Sequence, residues 1–345
     1  MKTTAALLVE LDKPLEVVDI EIPALKPGQV LIEVAYSGVC HTQVLEARGR
    51  RGPDPYVPHC LGHEGSGTVL EVGAGVTKVK AGDPVILSWI KGSGLNVPGT
   101  VYKWNGRDVN AGGVTTFQRH AVAAENRVTR LPAGLAMTEA VMLGCALPTG
   151  LGAVVNTARP TAGESAAVFG VGGVGQSAIL GAVVSGCVPV IAVDPNPAKR
   201  EMALGFGATH ALDPGAVDAV AEIRKLTGGG ADLAIEASGI PAVMVQAFEC
   251  VRPQGGRAVV IGNVPKGQLI PLDPRLLNDG RNLLGCWGGD AVPDRDYPRF
   301  ARLMAARRID VAPLLSAPYP LARINDALED LEAGRVGRPL IDMSL

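Results

Sequence analysis

Cysteine and histidine occur here in a pattern able to hold a transition-metal ion. Cys40-His41-Thr42 and His59-Cys60-Leu61-Gly62-His63-Glu64 lie in the first third. A further thiol stands in Gly144-Cys145-Ala146-Leu147-Pro148-Thr149-Gly150. Thiolate and imidazole are borderline-soft donors that suit Zn2+, and three protein ligands with an open fourth position make a catalytic site. The separations are far too wide for a local finger. Read alone, each cysteine is equally a small buried hydrophobe. Spacing does not choose between Cys40, His63 and Cys145 on one hand and His59 and Cys60 on the other.

A second constellation suits a phosphate. Gly170-Val171-Gly172-Gly173-Val174-Gly175 follows the apolar run Ala166-Ala167-Val168-Phe169 and opens a helix-like stretch. In such a turn the first glycine permits the tight bend, the second the approach of a pyrophosphate, and the third close helix–strand packing. The free N–H groups and dipole of the helix N-terminus favour the anion. A second apolar run, Val190-Ile191-Ala192-Val193, ends in Asp194. A carboxylate there accepts hydrogen bonds from ribose hydroxyls and repels a 2′-phosphate, which points to NAD rather than NADP.

The elements that position these residues differ in texture. In the first third, Ala5–Glu10, Leu15–Ile20, Val30–Tyr36, Thr68–Val72 and Pro84–Leu87 read as short strands between Gly- and Pro-bearing turns. From Lys91 to Gly113 the chain is polar and glycine-rich, and is expected to form a long surface loop or lobe. Beyond Pro148, strand-like and helix-like runs alternate up to Ala258–Ile261, which predicts a parallel sheet covered by helices. Two amphipathic helices follow, around Phe300–Met304 and Ile324–Leu331. The 345 residues, 47% hydrophobic and 19% charged, suggest about two globular domains. A net charge of −2 gives no case for nucleic acid or an anionic membrane as partner. No signal segment or membrane span is evident, and six cysteines make no disulfide scaffold, so a reduced cytoplasmic setting is expected.

Jointly, Gly38-Val39-Cys40-His41-Thr42, Gly62-His63-Glu64-Gly65, Gly82-Asp83-x-Val85, Gly144-Cys145, the glycine turn and the ending Gly334-Arg335-x-x-Gly337-Arg338-Pro339 resemble a zinc-dependent alcohol dehydrogenase of the medium-chain dehydrogenase/reductase superfamily. The resemblance runs over essentially the whole chain. It implies an α/β fold: a GroES-like, β-rich catalytic domain (1–148), an inserted Rossmann domain with a doubly wound parallel sheet that binds NAD (149–287), and a C-terminal return to the first domain (288–345). Cys40, His63 and Cys145 resemble the catalytic zinc ligands. Glu64 matches an acid close to the metal that can exchange onto it, and Thr42 a hydroxyl that bonds the alcohol. His41 and Arg338 match pyrophosphate contacts, Lys199 lies near the adenosine ribose, and Thr149 falls in the turn facing nicotinamide. Gly170, Gly172, Gly173, Val174, Gly175, Asp194 and Gly262 complete the expected cofactor set. The implied reaction moves hydride between a small alcohol or polyol and NAD, giving an aldehyde or ketone, in a homo-oligomer (dimer or tetramer).

The pattern departs from the family in three places. Lys91–Gly113 lacks cysteine, so the four-thiolate structural zinc of many relatives is impossible there and one catalytic zinc per chain is expected. Gln43 stands where relatives often carry an aspartate that orients the zinc-bound histidine, and an amide raises ligand basicity less. Leu45 stands where several relatives place a proton-relaying histidine. Two other readings use the same scaffold: a zinc-free quinone or enoyl reductase, and a catalytically silent nucleotide- or metal-binding protein. Asp194 and the intact Cys/His/Cys set count against the first, the retained ligands and Thr42 against the second.

Overall fold

The computed structural model describes residues 1–264 and 267–345. Two compact units divide the chain: Met1–Cys145 with Val292–Arg307 and Val311–Leu345, and Ala146–Ala291 with Arg308–Asp310.

The first unit is built around one strand. Gln29–Gly38 pairs antiparallel with Glu64–Val72, with His120–Ala124 through residues 29–33 and with the C-terminal Arg338–Asp342 through residues 36–38, its length accommodating three partners. Successive side chains of a strand face opposite sides, and here both sides are apolar. Val30, Ile32 and Val34 enter one core, and Leu31 enters a second with Leu7, Ile20 and Tyr102. That second core fills a closed barrel of Lys2–Leu8, Glu16–Glu21, Val101–Trp104, Arg107–Asn110 and His59–Cys60.

The barrel refines the expectation of a long surface loop or lobe over 91–113. Val101–Trp104 and Arg107–Asn110 form an antiparallel hairpin. Its turn is Asn105-Gly106, both with positive φ (49° and 78°), the pairing that a two-residue turn of matching twist demands. The start of the lobe is held by carboxylates. Glu125, 1% exposed, accepts the backbone N–H groups of Thr77 (2.6 Å), Lys78 (2.8 Å) and Leu95 (2.7 Å). Asp294 accepts from Ser93 N at 2.6 Å and pairs with Lys78 at 2.6 Å.

The second unit contains the expected parallel sheet. Its six strands run in the order His210–Leu212, Val190–Val193, Ala166–Phe169, Leu233–Glu236, Arg257–Val260 and Asn282–Gly285. The four central strands are almost continuously apolar, as strands covered by helices on both faces must be. Sequence reading missed the two edge strands, which are short and only half-buried or exposed. Among the described residues no single helix is long and apolar enough to cross a membrane.

Glu125 yields a prediction about acid stability. Burial pushes its carboxyl up, but the N–H groups of Leu95, Thr77 and Lys78 and the Lys78 cation outweigh burial and hold it below the usual range. A carboxyl depressed in the folded state stabilises above its unfolded pKa, and that contribution is lost as pH falls through the folded value. Glu125→Gln should cost about 1–3 kcal/mol near neutral pH, and the deficit should shrink as the wild type is acidified. Urea denaturation across that range checks it; a deficit independent of pH would contradict it.

Candidate active site

Three remote stretches of sequence deliver one cluster. Cys40 follows the Gln29–Gly38 strand and caps the short helix His41–Ala47. His63 immediately precedes the strand Glu64–Val72. Cys145 follows the tight turn Val141–Gly144, where Ser88 Oγ donates to the Gly144 carbonyl (2.7 Å) and the buried Tyr297 hydroxyl donates to Ser88 (2.7 Å). The ligand atoms of Cys40, His63 and Cys145 lie within 4.8 Å of one another, with His63 Nε2 3.3 Å from Cys145 Sγ. Sulfur at about 2.3 Å and nitrogen at about 2.0 Å from a tetrahedral zinc stand about 3.5–3.8 Å apart, so the group has the right size. No other such group of His, Cys, Asp and Glu occurs among the described residues.

Charge sharpens the fit. Glu64 is fully buried, and its Oε1 accepts from Arg338 Nη1 at 2.8 Å, while Arg338 is 3% exposed. With both thiols ionised, two thiolates and one carboxylate would set three negative charges against one guanidinium, an excess that a divalent cation would neutralise. Cys40 is held well below the ordinary thiol range by a hydrogen bond from Cys145, against burial and aided by Arg338 and His63. Cys145 is pushed up by the same bond and by burial. Burial disfavours the His63 imidazolium, but contacts with Cys40 and the charges of Glu64 and Glu46 hold it above its usual value.

Thr42 is half-buried, its hydroxyl 3.8 Å from Cys40 Sγ. Gln43 is buried and touches both neighbours: its Oε1 accepts from Cys40 N at 2.8 Å, and its Nε2 meets His63 Nδ1. A cavity of about 340 Å3 opens beside His63 and Gln43, bordered by Glu46, Ala111, Gly112 and Val114. The competing candidates lie elsewhere in chemical terms. His59 is bound to Asp54 (2.9 Å) and to the Cys60 carbonyl (3.0 Å), and Cys60 is packed in the barrel core, where burial pushes its thiol up. Trp89 packs against the first core.

In the second unit, Gly170 bends at φ 79° and Gly173–Val184 forms the following helix. A Cβ on Gly175 would lie 2.0 Å from the Gly170 carbonyl, so the turn closes only with glycine there, whereas the space beside Gly172 is open. Asp194 is buried at the end of Val190–Val193. Its Oδ2 accepts from Val171 N and its Oδ1 from Asn196 N, both at 2.9 Å. Lys199 is half-buried on the helix Pro197–Gly205, and Thr149 is buried on Ala146–Gly152. His41 is exposed, in the first unit. Gly262 adjoins Glu236, a buried acid that sequence reading missed: it accepts from Ser238 N (2.7 Å) and Gly239 N (3.0 Å) and joins the loops beyond two central strands. An acid ending the apolar run Leu233–Ile235 was its only signal.

Residues 26–133 match the family model described as alcohol dehydrogenase GroES-like domain, and 173–306 that of zinc-binding dehydrogenase. The chain is 33% identical to an S-(hydroxymethyl)glutathione dehydrogenase of Synechocystis sp. and 33% identical to an alcohol dehydrogenase class-3 of Cereibacter sphaeroides, each covering 99% of this chain and 100% of the relative. Benzyl alcohol dehydrogenase from Acinetobacter calcoaceticus has a similar structure, with TM-score 0.92, 29% identity and 99% of both chains covered.

Two outcomes follow from the cluster. Arg338→Met leaves the Glu64 charge buried without its partner and should cost about 3–5 kcal/mol; urea denaturation measures it, and a cost near zero would contradict the charge argument. Cys145→Ser should reduce zinc retained through gel filtration from one per chain to near zero, read by atomic absorption, with the fold kept by circular dichroism.

Proposed function

The chain belongs to the alcohol dehydrogenase family with GroES-like and zinc-binding dehydrogenase domains, and on that premise we propose that it transfers hydride between an alcohol and NAD at one catalytic zinc, giving an aldehyde or ketone. The observation that carries this reading is the convergence of Cys40, His63 and Cys145 from three distant stretches. Those side chains would hold the metal, with Arg338 balancing the charge of Glu64 behind them. When bound, zinc supplies the Lewis acidity that makes an alcohol hydroxyl acidic, and NAD supplies the hydride acceptor.

The remaining tasks fall to the chain's own side chains. Thr42 offers a hydroxyl beside Cys40 and is the group proposed to accept the substrate's hydroxyl proton while passing its own on to solvent water, so that it relays the proton rather than holding it. Leu45, on the same helix, has no atom that titrates, so the proton leaves Thr42 by a route that does not use position 45. The cavity beside His63 is proposed to admit the substrate, its Ala111 and Gly112 wall leaving room for a bulky group. The Gly170–Gly175 turn and its helix would cradle the pyrophosphate. Asp194 is proposed to select NAD: both its oxygens are fixed by backbone N–H groups, yet each keeps a lone pair for a ribose hydroxyl. His41, Lys199, Thr149, Gly262 and Arg338 are the further proposed cofactor contacts.

The test is NAD reduction by zinc-loaded protein across S-(hydroxymethyl)glutathione, benzyl alcohol, aliphatic alcohols and polyols. Turnover of at least one is expected, and none with zinc bound would defeat the proposal. Thr42→Val should lower kcat by about 100-fold with zinc content unchanged. Asp194→Gly should raise the KM for NAD and relax discrimination against NADP; unaltered discrimination would remove Asp194 from that role.

A further inference from the structure

Gln43 is placed where two hydrogen-bonding demands meet. The backbone N–H of Cys40 needs an acceptor, and Gln43 Oε1 supplies it at 2.8 Å. The other end of the same carboxamide, Nε2, abuts His63 Nδ1. The side chain is 1% exposed, so no bulk water substitutes for either contact. An amide nitrogen only donates, and a ring nitrogen facing it must therefore accept. With Nδ1 bare, a neutral His63 carries its proton on Nε2, the atom 3.3 Å from Cys145 Sγ and turned into the thiol cluster.

A metal bound through Nε2 needs the opposite arrangement. Nε2 must then be unprotonated, and Nδ1 carries the hydrogen and requires an acceptor. Turning the Gln43 amide over would present Oε1 to Nδ1–H, but would bring Nε2 against the Cys40 N–H, donor against donor. One carbonyl oxygen cannot serve both sites from opposite ends of the amide. A carboxylate could, because both of its oxygens accept.

We propose that Gln43 is a positioning residue that sets the tautomer of His63 against metal binding, so that zinc is held more weakly and exchanges faster than the ligand set alone would dictate. This rests on the zinc reading above and deepens it. Position 43 acts on the metal site through Cys40 and His63, and its side chain also borders the cavity beside them.

Gln43→Glu keeps the length of the side chain and offers acceptors to both neighbours. The dissociation constant for zinc, measured by competition with a chromophoric chelator on metal-stripped full-length protein, should fall by about 10-fold or more. Dissociation of zinc into excess chelator should slow correspondingly. Leu45→Glu adds the same charge to the same helix without meeting either acceptor demand, and should tighten zinc by much less. Equal tightening in the two variants would reduce the effect to charge and overturn the proposal, as would no change in Gln43→Glu.

The wild-type protein supplies a readout independent of folding of the variants. Long-range proton–nitrogen correlation spectra, with five histidines in the chain and His63 assigned through His63→Asn, report which ring nitrogen bears hydrogen. In stripped protein at mildly alkaline pH, His63 should be protonated on Nε2 alone, and zinc should move the hydrogen to Nδ1. A hydrogen already on Nδ1 in the stripped protein overturns the proposal. Failure of the wild type to bind zinc would instead defeat the functional reading itself, so the two failures are distinguishable.

Discussion

A buried carboxylate, a buried guanidinium and two buried thiols in one small volume impose a charge constraint on the first unit. Removing ions from water costs several kcal/mol each unless each is compensated and hydrogen-bonded. Glu64 is compensated by Arg338, which also donates to the Val39 carbonyl at 3.2 Å, and Cys40 by hydrogen bonding and the nearby cations. The compensation draws together the strand after His63, the end of Gln29–Gly38 and the C-terminal strand, whose Arg338–Asp342 pairs back onto the N-terminal sheet. Charge pairing thus ties the last residues of the chain to the first third.

Packing around Glu64 follows from the same constraint. A Cβ at Gly38 would approach Glu64 Oε1 to 2.7 Å, and one at Gly144 would approach Glu64 Cβ to 2.6 Å. Both neighbours of the carboxylate are therefore bare, and the backbone leading into Cys145 can close on it. The Tyr297–Ser88–Gly144 chain of hydrogen bonds pins that turn from the far side. In the lobe, where thiolates are missing, the problem is unsatisfied backbone N–H groups rather than excess charge, and Glu125 and Asp294 solve it with carboxylate oxygens. That answers what anchors a lobe for which the sequence offered no metal.

Much of this was legible in the sequence, for reasons that differ by element. The central parallel strands announce themselves because burial on both faces demands continuous apolar runs, as in Ala166–Phe169 and Leu233–Glu236. Edge strands have no such demand, so His210–Leu212 and Asn282–Gly285 left little trace. The hairpin at Asn105-Gly106 carried a turn signal that the polar, glycine-rich composition around it obscured. For the metal cluster, residue type narrowed the field but spacing could not choose. Cys40, His63 and Cys145 meet only through tertiary pairing, and the resemblance to a known family separated them from His59 and Cys60. The role of Asp54 as the partner of His59, and of Glu236 as a brace between two loops, depends on contacts across loops that no periodicity encodes.

One divalent ion is proposed to balance the charge of this cluster. The deciding measurement is anomalous scattering at the zinc edge from crystals of metal-replete protein. One peak per chain is predicted, bounded by Cys40 Sγ, His63 Nε2 and Cys145 Sγ, with none in the lobe over residues 91–113. A peak on other residues, or a fully occupied protein lattice with no peak at this cluster, would contradict it.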